Sequence, residues 1–78
     1  METDEEFDRR IKTAITTRLE ATGVTRADLA RSAGISRSTL DRRLDKDRAF
    51  KPAEIYLIAT HVLHVKPSVI INEADVAA

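Results

Sequence analysis

The amino-acid sequence predicts an all-α fold, a compact bundle of five short helices. Three observations carry this. Apolar residues recur three and four apart along most of the chain, and no stretch alternates convincingly as a strand does. The only two glycines, Gly23 and Gly34, stand where helical patterns stop. Both prolines, Pro52 and Pro67, stand where a helix can begin, since the missing N–H costs nothing in the first turn. The 78 residues make one domain, small but able to fold alone if its core is well packed.

Helix 1 is predicted from about Asp4 to Thr22. Phe7, Ile11, Ala14, Ile15 and Leu19 form one apolar stripe along it. Asp4, Glu5 and Glu6 sit in or near its first turn, where the positive end of the helix dipole favours acids. Gly23 stops it, and Val24 is placed to pack back on Leu19 in a Schellman motif. Helix 2 starts after Thr25, whose spacing to Asp28 resembles a capping box. Its inner face is narrow: Leu29, Ala30 and Ala33. Gly34 stops it and Ile35 is set to pack on Ala30.

Helix 3 starts behind Ser36, a good N-cap, and runs to about Asp45. At about 100° per residue, Leu40 and Leu44 face inward while Ser38 and Arg42 point away. Thr39 lies at the edge of that outer face, Arg43 on one flank, and Arg37 towards the other flank at the helix tip. Asp47 to Lys51 connect to helix 4, with Phe50 plugging the core from the loop. Helix 4 opens at Pro52, and Ile55, Ile58, Ala59, Val62 and Leu63 give the clearest amphipathic pattern in the chain. His64 ends it where glycine is commoner. Tyr56 is a lone aromatic expected to be half-buried. Lys66-Pro67 opens a last short helix. Val69, Ile70 and Ile71 are consecutive, so at least one must be exposed or paired with another chain. The tail, residues 74–78, is expected to fray.

Net charge is zero, but the charges are not evenly spread. Residues 1–8 carry five acids and no base, residues 9–51 balance at +7, and residues 52–78 at −2. A basic centre between acidic ends fits an electrostatic footprint on one part of the surface, although a solvated helix face reads the same way. The acidic leader, residues 1–6, could also screen the basic face in cis. There is no cysteine, hence no disulfide and no thiolate metal site. No apolar run reaches the length of a membrane span, so a cytoplasmic protein is expected.

The arrangement resembles the Cro and repressor type of helix-turn-helix protein, the XRE-like family that includes lambda repressor. The matching residues are Thr25 before helix 2, Leu29-Ala30 within it, Gly34-Ile35 at the turn, Ser36-Arg37-Ser38-Thr39-Leu40 opening helix 3, and Leu57, Ala59 and Leu63 in helix 4. They span roughly residues 10–71. The resemblance implies a sequence-specific regulator of transcription that binds double-stranded DNA and lays helix 3 in the major groove. Carried over by position, it makes Arg37, Ser38 and Arg42 the base readers, and Arg26, Ser36, Thr39 and Arg43 the phosphate contacts. Arginine suits the first role because its planar fork matches O6 and N7 of guanine. Arg37 is equally spaced for an i, i+4 pair with Asp41. The family usually has an aliphatic residue at the position of Arg43 and often a polar one at that of Leu44; the inversion here implies a small rotation of helix 3. Glutamine is frequent in the family at the position of Arg26.

No nucleophile–base pair, carboxylate dyad or phosphate-cradling glycine loop stands out, so no enzyme and no cofactor are expected. His61 and His64 lack a clear third ligand and fit a helix end better than a metal. A protein-binding adaptor on the same scaffold, such as an antitoxin, antirepressor or assembly partner, is the rival reading. The acidic leader and the Val69–Ile71 cluster motivate it, and homodimerisation through Val69, Ile70 and Ile71 is a related expectation.

Overall fold

The computed structural model describes residues 4–46 and 48–76. They form an all-helical bundle with no strand among the described residues. The helices are α1 (Asp4–Thr22), α2 (Arg26–Ala33), α3 (Arg37–Asp45), α4 (Pro52–Ile58, continued by a π-helical turn Ala59–Leu63) and α5 (Pro67–Val76). α1 packs along α5, while α2 meets α3, α4 and the π turn. The Cα radius of gyration is 11.6 Å, close to the value of about 11.5 Å expected for a folded chain of this length.

Each helix supplies one fully buried large side chain: Ile15, Leu29, Leu40, Ile58 and Ile70. Full burial of such a residue contributes about 1.5–3 kcal/mol, and these five bind the helices into a single core. The stripe predicted for α1 is the buried one, with Phe7 packed at its edge. Phe50 enters the core from the connection, as its isolation among polar residues implied. Tyr56, expected to be half-buried, is exposed, keeping 54% of its surface.

The two glycine stops differ in detail. Gly23 (φ 72°) donates its N–H to the Leu19 carbonyl at 3.0 Å, which is the simpler left-handed stop rather than the Schellman form. At Gly34 (φ 70°) the Ile35 N–H reaches the Ala30 carbonyl at 3.0 Å, the Schellman bond. A Cβ on Gly34 would meet nothing within 4 Å, so glycine is required there by the backbone alone. The capping box of α2 is half made. Thr25 Oγ1 accepts the Asp28 N–H at 3.1 Å, but the Asp28 carboxylate turns to Arg31 instead.

Two further expectations need correction. The helix opened by Pro52 does not stay α-helical to its end. Its last turn is π-helical, closed by His64 N–H on the Ala59 carbonyl. The segment from residue 74 does not fray as far as Val76. Ala74 is buried one turn beyond Ile70, and Glu73 pairs with Arg18 of α1, so the end of α5 is docked. Residues 77–78 lie outside the described residues, as do residues 1–3 of the acidic leader. Among the described residues no single helix is long and apolar enough to cross a bilayer. The Pro52–Leu63 and Pro67–Val76 segments reach that character only together, and they are bent by 108°.

His64 holds the left-handed conformation (φ 55°, ψ 41°) that glycine would take without strain. That region costs a side-chain-bearing residue about 1–2 kcal/mol, partly offset because glycine is freer when unfolded. The side chain is exposed, so little else is lost on replacement. His64→Gly is therefore expected to stabilise the protein by about 0.5–1 kcal/mol, raising the melting temperature by about 2–8 °C in a circular-dichroism melt. An unchanged or lower melting temperature would show that the π turn does not strain this residue.

Candidate nucleic-acid interface

α2 and α3 are joined by Gly34, Ile35 and Ser36. Ser36 caps α3: its Oγ accepts the Thr39 N–H at 3.2 Å and donates to Thr39 Oγ1 at 2.8 Å. Ser38 Oγ lies 3.5 Å from Ser36 Oγ, and Arg42 Nη2 reaches Thr39 Oγ1 at 3.4 Å. Ser36, Ser38 and Arg42 are exposed and Thr39 is half-buried. Four of the predicted site residues therefore form one polar row on the outer side of α3. The row offers hydroxyls at its start and a guanidinium one turn on, an arrangement able to donate to anionic oxygens or to base edges.

Leu40 is fully buried and Leu44 packs against the core, so α3 keeps the orientation its helical wheel implied. The Arg43–Leu44 inversion is accommodated without turning the leucines out. Arg43 leans towards α4 and binds Glu54 with two bonds, Nε–Oε1 at 2.8 Å and Nη2–Oε2 at 3.2 Å. Both side chains are largely covered, at 14% and 12% exposure. Glu54 also accepts the Lys51 backbone N–H at 2.8 Å, which starts α4. Arg43 thus joins α3 to α4 and stands apart from the Ser38–Arg42 row.

Arg26 behaves similarly on the other flank. Its Nη1 and Nη2 meet both carboxylate oxygens of Asp45 at 2.7 Å, and Nη1 also meets Asp41 Oδ1 at 3.0 Å. It ties the start of α2 to the body of α3. Asp41 Oδ1 in turn accepts Arg37 Nε at 3.1 Å, so the i, i+4 pair is formed. Arg37 is still 55% exposed and stays at the tip of α3 beside the row. Of the seven predicted site residues, Arg37, Ser38, Arg42, Ser36 and Thr39 are brought together, whereas Arg26 and Arg43 hold helices. Lys46, Arg48 and Lys51 are exposed cations on the neighbouring connection, which Lys12 Nζ anchors through the Lys46 carbonyl at 2.8 Å.

The clamps were not visible as pairs in the sequence. Arg26 and Asp45 lie 19 positions apart, Arg43 and Glu54 lie 11 apart, and Arg18 and Glu73 lie 55 apart. The one trace is the i, i+4 spacing of Asp41 and Asp45, which puts two acids on one flank of an otherwise basic helix.

These pairs set a pH dependence. Hydrogen bonds from Arg37 and then Arg26 hold the Asp41 carboxyl below the usual carboxylate range, and Arg26 does the same for Asp45. Arg18 lowers Glu73. For Glu54 burial pushes upward most strongly, but the bonds and charges of Arg43 and Lys51 together outweigh it and the net shift is downward. A carboxylate lowered on folding stabilises the fold above its unfolded pKa and loses that contribution as pH falls through its folded value. Acid titration should therefore leave these contributions intact until pH nears about 4, then erode them progressively below it. Urea melts of the wild type and of Arg43→Met/Glu54→Leu across this range test the assignment. The double variant is expected to lose less stability on acidification. Equal losses in the two would show that Glu54 is not a contributor.

His61 and His64 are exposed, and among the described residues no group of three or more histidines, aspartates or glutamates is placed to hold a metal ion. No protein-family model, curated protein or solved structure matches this chain.

Proposed function

We propose that the protein is a sequence-specific, double-stranded-DNA-binding regulator of transcription, similar in kind to phage repressors and Cro, with α3 as the reading helix in the major groove. The observation that carries this is the row of exposed Ser36, Ser38 and Arg42 with half-buried Thr39 among them and Arg37 at its tip, on a short helix whose opposite face is anchored by Leu40. Such a helix presents donors outward from its first turns, where base edges are met in helix-turn-helix docking. Arg37, Ser38 and Arg42 are the base readers in this reading. Ser36 and Thr39 position the backbone, and Arg26 and Arg43 act as braces rather than as the principal phosphate contacts.

Selection of bound duplexes from a random pool tests the proposal. A recovered consensus, with affinity that falls steeply as salt rises, is the expected outcome. Absence of duplex binding at low salt would overturn it. The symmetry of the consensus would report whether two copies bind half-sites about one helical turn apart.

A protein-binding adaptor is the second reading, and one observation favours it. Ile71 and Val76 on α5 are 41% and 83% exposed. The same helix bears on dimerisation: Ile70 lies in the chain's own core, so a contact through α5 would rest on Val69, Ile71 and Val76. Co-purification of a partner at fixed ratio, without DNA retardation, would favour the adaptor.

A further inference from the structure

We propose that Asp41 is a positioning residue that sets base preference by aiming Arg37; the inference rests on the DNA-reading proposal. Asp41 Oδ1 accepts Arg37 Nε from one turn earlier on the same helix, at 3.1 Å. Nε is the inner edge of the guanidinium. Bonding it leaves the Nη1 and Nη2 edge of a side chain that is 55% exposed, and among the described residues neither nitrogen has a partner. That end-on pair is the fork that fits O6 and N7 of guanine. Without an acceptor behind it, a long side chain at a helix tip samples phosphates and bases alike, and ordering it on binding costs affinity for every sequence.

The aim is braced from a second helix. Arg26 Nη1 donates to the same Asp41 oxygen at 3.0 Å, and Arg26 is itself gripped by both oxygens of Asp45. Asp41 is therefore held from α2 while it holds Arg37 on α3. The four residues Arg26, Arg37, Asp41 and Asp45 carry no net charge together, so the group adds little general attraction for phosphate. Its contribution is directional. Arg42 differs: among the described residues its guanidinium has only the long 3.4 Å bond to a hydroxyl, with no carboxylate against it.

The test compares Asp41→Asn, Asp41→Glu and Asp45→Asn with the wild type on the selected site and on versions altered at each base pair, by fluorescence anisotropy at fixed salt. The base pair read by Arg37 is the one at which Arg37→Ala loses discrimination. Asp41→Asn is expected to lower discrimination there about fivefold or more and to bind random duplex more tightly, because a negative charge has been removed. Asp41→Glu should recover part of the discrimination, which a merely structural role does not predict. Asp45→Asn should change overall affinity while leaving preference at that base pair closer to wild type. Circular-dichroism melts confirm that the variants are folded, and if Asp41→Asn does not fold, the Asp41→Glu and Asp45→Asn comparison carries the test. The inference is overturned if Asp41→Asn shifts affinity for all duplexes by one common factor, if Asp45→Asn alters that base preference as much as the Asp41 variants do, or if Arg37→Ala changes no preference. In each of these cases DNA reading by α3 still stands. Absence of wild-type duplex binding overturns both.

Discussion

Leu40→Ala is expected to unfold a large part of the population at 37 °C and to abolish every activity that depends on α3. The reasoning starts from the composition of that helix. Its nine residues, RSTLDRRLD, contain two apolar side chains, and only Leu40 is fully buried. Leu44 is half-covered and packs at the edge of the core. Truncating a buried leucine to alanine costs about 2–5 kcal/mol, the lost transfer energy plus the cavity left behind. A domain of this size has about 4–12 kcal/mol of stability in total. At about 4–8 °C per kcal/mol the melting temperature should fall by roughly 8–40 °C. Leu44→Ala should cost distinctly less, because less of its surface leaves water on folding. Thermal and urea melts of the two variants provide the measurement. If Leu40→Ala lowered the melting temperature by only a few degrees, or by less than Leu44→Ala, the seating of α3 described above would be wrong.

The same helix shows what a sequence of this kind discloses. Features set by neighbours along the chain were legible. The bounds of α1, the left-handed stops at Gly23 and Gly34, the Ser36 cap and the inward pair Leu40 and Leu44 all follow from rules that reach four residues or fewer. The outward row on α3 was legible for the same reason. The destinations of long charged side chains were not. Arg26 and Arg43 have the composition of phosphate contacts, and only the packing of α2 and α4 against α3 reveals that acids from other parts of the chain take their guanidinium groups. The docked end of α5 belongs to the same class, since Glu73 finds Arg18 only once α1 and α5 lie together. The π turn after Ile58 was hidden differently. Its residues Ala59, Val62 and Leu63 obey the ordinary amphipathic pattern, and a widened turn leaves that pattern almost unaltered.

Arg42→Ala is expected to remove about 1–3 kcal/mol of discrimination at one operator base pair, a loss of about 5- to 150-fold in preference, while leaving the melting temperature nearly unchanged. Both halves of this prediction come from the same geometry. The side chain is exposed on the outer face of α3, and its one bond among the described residues is the 3.4 Å contact to Thr39 Oγ1, too long to contribute much to stability. A guanidinium held so loosely is available to a base edge, and its removal leaves no buried partner behind. Arg26→Ala should give the opposite signature. Deleting it leaves Asp41 and Asp45 facing one another as like charges on adjacent turns of α3, so the melting temperature should fall. DNA affinity should fall with it for all sequences alike, through a loosened α3 and one uncompensated negative charge near phosphate, since Asp41 keeps Arg37 while Asp45 loses its cation. Melts and anisotropy titrations on the two variants therefore separate a reader from a brace. If Arg42→Ala left both affinity and preference unchanged, the outer row of α3 would not be a reading surface. If Arg26→Ala weakened binding without lowering the melting temperature, Arg26 would be a phosphate contact after all, drawn away from Asp41 and Asp45 by the DNA.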